Sequence, residues 1–244
     1  MPIDTADTLN TAAADTGTTG AAAVVAKQVA TQVATQAAAQ TTTQPAGVTL
    51  LRGADLVAAP WKNGGGVTRE VAAYPQGASL DAFLWRVSIA DVAQAGPFSR
   101  FEGIDRTLVL LSGAGMLLDE AGGPTHALTQ PLDMAHFAGE TAIDARLVDG
   151  ATRDFNLMVR RGAARGEVEV WQGEDAKRDF APLHALSADV ALLFCTSGSL
   201  QVTLGSGAAI TLTTDDTLRI DAPQALNCRL SGTGALLAIR LHYA

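Results

Sequence analysis

Three pairs of segments in this chain repeat one another, and no other feature limits its fold so tightly. "LVLLSGAGMLL" (residues 108–118) resembles "LLFCTSGSLQVTL" (192–204), each a β-rich run, a small-residue turn and a second run. "LTQPLDMAHFAG" (128–139) resembles "LTTDDTLRIDAP" (212–223), and "IDARLVDGATRDFNLMV" (143–159) resembles "LNCRLSGTGALLAIRL" (226–241). The offset stays between about 82 and 85 residues throughout, which chance local similarity would not maintain. From Val48 onward, short β-rich runs alternate with Gly, Pro and Asp, and helical periodicity is confined to connectors. An all-β chain with a duplicated domain follows. Two small antiparallel barrels, each a jelly roll, satisfy both signals.

The repeat does not reach the first 47 residues. They are mostly Ala, Thr and Gln and contain no aromatic side chain. Such a segment buries too little apolar surface to offset the entropy of ordering, so residues 1–47 are expected to be a disordered low-complexity extension. The first barrel is expected over 48–162 and the second over 163–244, with strands exchanged between them.

Charge and cysteine usage narrow the partners. A formal net charge of -8 and no Lys/Arg cluster disfavour nucleic acid. Cys195 and Cys228 stand in apolar runs without CxxC spacing, as reduced thiols used as small hydrophobes. No apolar run approaches the roughly 20 residues that span a bilayer. The N-terminus lacks the basic start and apolar centre of a secretory signal. No membrane association and a cytoplasmic location are the expectation.

"WKNGGGVTRE" (61–70) is the most unusual decapeptide. A phosphate loop leads into a helix whose N–H groups face the anion, but the residues after Gly66 are spaced for a strand and Lys62 precedes the glycines. The run suits a strand entry, where glycine permits positive φ or close backbone approach. Two later strands carry one greasy and one polar face. Phe83, Trp85, Val87 and Ile89 alternate with Arg86 and Ser88, and Phe155, Leu157 and Val159 alternate with Asp154, Asn156, Met158 and Arg160. Arg, Ser and Asn supply directional donors and acceptors, and arginine grips a carboxylate through paired hydrogen bonds. Alternation alone leaves a polar pocket and an internal ion-pair network equally open.

"WKNGGGVTRE", "WRVSIA", "GPFS", "FEGIDR", "FAGE" and "DFNLMVRRG", in that order, resemble the HutD/Ves family of bacterial histidine utilisation. The likeness is close over residues 50–162 and weaker beyond. It implies a bicupin, two fused RmlC-like cupin barrels, in agreement with the repeat, and the cupin fold implies pairing into a homodimer. It also implies a ligand-responsive modulator of histidine or urocanate breakdown, with a carboxylate such as urocanate or N-formylglutamate as ligand.

On that reading Arg86, Arg106 and Arg160 contact the anion, while Asn63, Ser88 and Asn156 read carbonyl or amide groups. Trp61 and Met158 wall the pocket, and Gly64 and Gly65 let backbone approach the ligand. Thr68 and Arg69 point in opposite directions, so only one of them faces inward; Arg69 is kept as a candidate. Asp105 is expected to orient Arg106, and Glu70 to hold a pocket arginine. Most cupin enzymes bind metal through a His-x-His pair, a Glu and another His. His126, His136, His184 and His242 are too far apart in sequence for that pair, and only His136 is a pocket candidate. No metal or other cofactor is therefore expected. Tyr74 and Tyr243 form no acid–base constellation with His and Asp. Asp105 and Asp154 offer a base, but each has an arginine close by that favours its ionised form. No catalytic residue is assigned. The alternative is a metal-independent hydrolase or isomerase acting on the same carboxylates.

Overall fold

The computed structural model describes residues 47–173 and 183–244. Apart from Gly47, the segment read above as a disordered extension lies outside the described residues. The first part of the chain runs through β1 (Val48–Leu51), β2 (Ala58–Pro60), β3 (Gly66–Tyr74), β4 (Trp85–Val92), β5 (Gly96–Pro97) and β6 (Ile104–Ser112). It continues through β7 (Met116–Glu120), β8 (Thr125–Leu128), β9 (Met134–Ala138), β10 (Ile143–Leu147) and β11 (Thr152–Arg160). The second part is β12 (Ala164–Gln172), β13 (Leu183–Leu186), β14 (Val190–Leu204), β15 (Ala209–Thr213), β16 (Thr217–Asp221) and β17 (Leu226–Tyr243). A three-residue 3-10 turn, Gly53–Asp55, is the helical exception among the described residues. None of their helices is long and apolar enough to cross a membrane.

The strands form three antiparallel sheets. One has the order β2-β3-β4-β11-β6-β9, and a second the order β5-β10-β7-β8. In the third the order is β1-β16-β14-β17-β12, with β13 added to β17 and β15 to β14. The repeat is visible in the pairing. In the first half β6 pairs with β9 and β11, β7 with β8 and β10, β4 with β11 and β5 with β10. In the second half the start of β14 pairs with β16 and the end of β17, and its end pairs with β15 and the start of β17. β12 and β13 take the places of β4 and β5. Strand β1, the first described, pairs with β16 and so completes the sheet of the second half.

The halves differ where a turn was expected in both. Residues 104–120 break into β6 and β7, which belong to different sheets, whereas 190–204 stay one bent strand. Gly198 and Gly234 face each other across the bend with φ of 82° and 123°. A Cβ on Gly198 would meet the Thr233 carbonyl oxygen at 2.1 Å, so only glycine lets both strands bend there unbroken.

Strand alternation distributes the apolar side chains into separate layers. Trp85, Val87, Ile89, Phe155 and Leu157 leave the six-stranded sheet on one face and pack against Val190, Leu192, Phe194, Leu237 and Ile239. The Phe155 and Phe194 rings are 5.1 Å apart in this seam between halves. On its other face the six-stranded sheet meets the four-stranded one through Leu108, Leu110, Met116, Leu118 and Ile143. The second half encloses a cluster of its own: Trp171, Leu193, Leu200, Leu212, Leu218, Leu230 and both cysteines. Burial pushes the Cys195 thiol up to about 11 and the Cys228 thiol up to about 12, so both stay protonated and behave as small apolar groups. Phe83 departs from the expected alternation: it precedes β4 and packs with Ile104 and Met158.

Candidate functional site

The register of β4, β11 and β6 sets three ranks of side chains on the inner face of the six-stranded sheet. Arg86, Met158 and Arg106 form one rank, Ser88, Asn156 and Leu108 the next, and Ala90, Asp154 and Leu110 the third. All of them except Leu110 line a cavity of about 610 Å³. Phe98, Ser99 and Phe101, from the chain after β5, line it as well. Trp61, Lys62, Asn63 and Thr68 contribute from the glycine turn and β3.

Arg106 is only 7% exposed, and its guanidinium lies 5.0 Å from the Phe137 ring centre, 5.3 Å from Phe98 and 5.8 Å from Phe101. Rings at such distances stabilise a cation without spending its N–H groups. Its hydrogen bonds are long: Nε donates to Asn156 Oδ1 at 3.5 Å and Nη1 to the Ser99 carbonyl at 3.4 Å. Most of its five donors are thus unspent. Burial pulls its pKa down to about 10, with Asp154 opposing and Arg86 adding to the shift, so it remains a cation at neutral pH. Arg86 is held more firmly. Its Nε donates to Glu70 Oε2 at 2.7 Å and its Nη1 to Ser88 Oγ at 3.2 Å.

Asp154 is the acidic group among the cavity's lining residues. Burial pushes its carboxyl up to about 7, outweighing the attraction of Arg106, while Asp91 adds repulsion. The expectation that arginine would set its ionisation is therefore corrected: desolvation of a 2% exposed carboxyl is the larger effect.

The HutD family model matches residues 53–238. The chain belongs to the HutD family. An uncharacterised 21.2 kDa protein in the hutC 3′ region of Pseudomonas putida is 37% identical over 177 residues, which is 72% of this chain and 88% of that protein. Protein Ves of Citrobacter koseri is 39% identical over 143 residues, 58% of this chain and 69% of that protein. HutD from Pseudomonas fluorescens, solved in a formate condition, superposes with a TM-score of 0.69 at 30% identity, covering 81% of this chain and all of that one. An oxalate decarboxylase structure shares the cupin-like fold alone, with a TM-score of 0.52 at 8% identity, over 83% of this chain and 80% of that one.

The HutD-family cavity gathers seven of the residues selected from sequence: Trp61, Asn63, Arg86, Ser88, Arg106, Asn156 and Met158. Six others are not among its lining residues. Gly64 has a φ of 72° and shapes the turn, and the Gly65 N–H donates to Asn63 Oδ1 at 3.0 Å. The close approach is made by Gly66 instead, where a Cβ would sit 3.0 Å from the Trp61 ring and 2.6 Å from the Asp91 carbonyl. Arg69 points away from Thr68 and ion-pairs with Asp91. Asp105 accepts from Arg161 Nε at 2.9 Å and so does not orient Arg106. Arg160 ends its strand and turns to carbonyl oxygens, donating to Phe83 at 2.9 Å and Asp81 at 2.6 Å. On β9, Ala135 and Phe137 face the core, which leaves His136 exposed with a ring nitrogen 2.9 Å from Thr107 Oγ1.

Two contributions escaped the sequence reading. Asp154 shares the polar face with Asn156 and Met158, but it was considered as a base and not among the ligand contacts. Phe98 and Phe101 stand in a loop with no periodicity to mark them. Among the described residues no three His, Cys, Asp or Glu side chains are grouped to hold a metal ion. His126 sits 2.8 Å from Glu120 Oε1, and His184 stacks on Trp171 with ring centres 3.8 Å apart.

Proposed function

We propose that this HutD-family protein holds a small carboxylate, such as urocanate or N-formylglutamate, in the cavity of its first half and thereby modulates histidine utilisation. Arg106 carries the reading: a buried cation, wrapped by three aromatic rings, whose hydrogen bonds within the protein are two long ones. A carboxylate between Arg106 and Arg86 would satisfy the unspent donors through charge-assisted bonds. Each such bond contributes on the order of 1.5–3 kcal/mol, so a few suffice for binding near the micromolar range. The cavity volume falls within the range usual for small-molecule sites. The relative from the hutC 3′ region and the HutD structure support the link to histidine utilisation. The scaffold is read as a bicupin of two jelly-roll barrels, divided near residue 162, with β1 exchanged into the second.

Turnover is a second reading, and Asp154 is the observation that favours it. A cavity carboxyl raised to about 7 is suited to accept or donate a proton in a metal-independent hydrolase or isomerase. Titration calorimetry with urocanate and N-formylglutamate, run alongside product detection, tests both. Heat without product, lost by at least about tenfold in Arg106→Met, is expected for a binding protein. Product that disappears in Asp154→Asn would replace that reading with the enzymatic one, and no heat with either compound would refute the binding reading.

A further inference from the structure

Asp154 stands out among the polar groups of the cavity because it is the acceptor left over. Asn63 Oδ1 accepts the Gly65 N–H, Thr68 Oγ1 accepts the Trp61 indole N–H at 2.7 Å, and Ser88 Oγ accepts from Arg86. Asn156 Oδ1 accepts from Arg106, although at 3.5 Å. Asp154 Oδ2 is buried with no hydrogen-bond partner, in a residue that lines the cavity. Burying a carboxylate oxygen without a donor is costly, and a site retains such a group when something else supplies the donor.

Placement says what the donor belongs to. The Arg106 guanidinium leans over the middle rank, where it meets Asn156, and Asp154 lies one rank further along β11. Two residues of strand separate those ranks, about 7 Å. We propose that Asp154 receives an N–H group of the bound carboxylate, so that the cavity selects molecules with an anionic carboxylate at one end and an N–H donor roughly 7 Å away. The inference rests on the carboxylate-binding reading and adds a demand that plain carboxylic acids do not meet. It makes Asp154 a specificity-determining residue, distinct from Arg106, which any carboxylate would use.

Matched probes separate the two claims. Urocanate is compared with 3-(2-furyl)acrylate, which keeps the acrylate and a five-membered ring but has no N–H, and N-formylglutamate with glutarate, which lacks the amide. In the unmodified protein, calorimetry should give at least about tenfold tighter binding for the N–H member of one pair or both. Asp154→Leu should reduce that preference to within about threefold while leaving furylacrylate or glutarate bound at least as tightly. Asp154→Asn keeps a neutral acceptor oxygen in nearly the same volume and should fall between the two. Thermal melts of the ligand-free variants verify folding, and if the leucine variant does not fold, the asparagine variant decides by whether it lowers the preference at least threefold. Equal binding within both pairs would overturn the inference and leave the carboxylate reading standing. A preference unchanged in the variants would do the same. No binding of any of the four by the unmodified protein would overturn both.

Discussion

The two halves share one pairing scheme and have opposite interiors. Matching the registers sets Arg106 of the first half against Ala191 of the second, Asn156 against Ala238, Asp154 against Leu236 and Ala90 against Trp171. At these four positions each replacement removes a polar group or adds apolar volume, whereas Arg86, Ser88 and Met158 match Glu167, Glu169 and Arg240. Trp171 is 2% exposed and stands in the cluster that fills the second half, while Ala90 leaves its position in the first half to the cavity. Two halves with one pairing scheme thus divide their labour. One half supplies stability through an apolar interior and seam, and the other bears the cost of burying charge in the cavity proposed to hold a ligand.

Emptying the packed half should have the largest effect on stability. Trp171→Ala removes a large buried side chain, and chemical denaturation should register a loss of about 3–5 kcal/mol. A loss below about 1 kcal/mol would mean that the second half is not the stabilising copy.

A smaller effect comes from the charge in the first half. The folded chain holds the Asp154 proton up to about pH 7, whereas the unfolded chain releases it near 3.8, as an ordinary solvated aspartate does. Between those values the folded state binds more protons, so this group's contribution to stability falls as pH rises. The penalty is complete above pH 7 and absent below about pH 4. Relative to Asp154→Asn, the unmodified protein should therefore gain stability on acidification from pH 8 to pH 4, by at most about 4 kcal/mol. Parallel stability curves for the two proteins would show that Asp154 ionises as a solvated carboxylate does.

How much of this could be read from sequence follows from what periodicity encodes. The segment similarities anticipated the repeated pairing, and period-2 alternation placed Arg86, Ser88, Asn156 and Met158 on the cavity side. Alternation assigns a face but not the reach of a long side chain. Arg160 shares a face with Asn156 yet spends its guanidinium on carbonyl oxygens at the strand end. Asp105 was assigned by its neighbour in sequence, although its partner, Arg161, comes from the end of another strand. The aromatic cage around Arg106 was illegible because Phe98 and Phe101 come from a loop and Phe137 from another strand, and only the fold gathers them.

The cavity of the first half is proposed as the ligand site. Ala90→Trp places there the residue type that occupies the matching position of the second half. Calorimetry of this variant with urocanate and N-formylglutamate, beside a thermal melt, shows whether the ligand enters there. The expected result is a folded protein with a melting temperature close to that of the unmodified chain and binding weakened by at least about a hundredfold. Undiminished affinity in a folded Ala90→Trp variant would contradict it and place the ligand elsewhere.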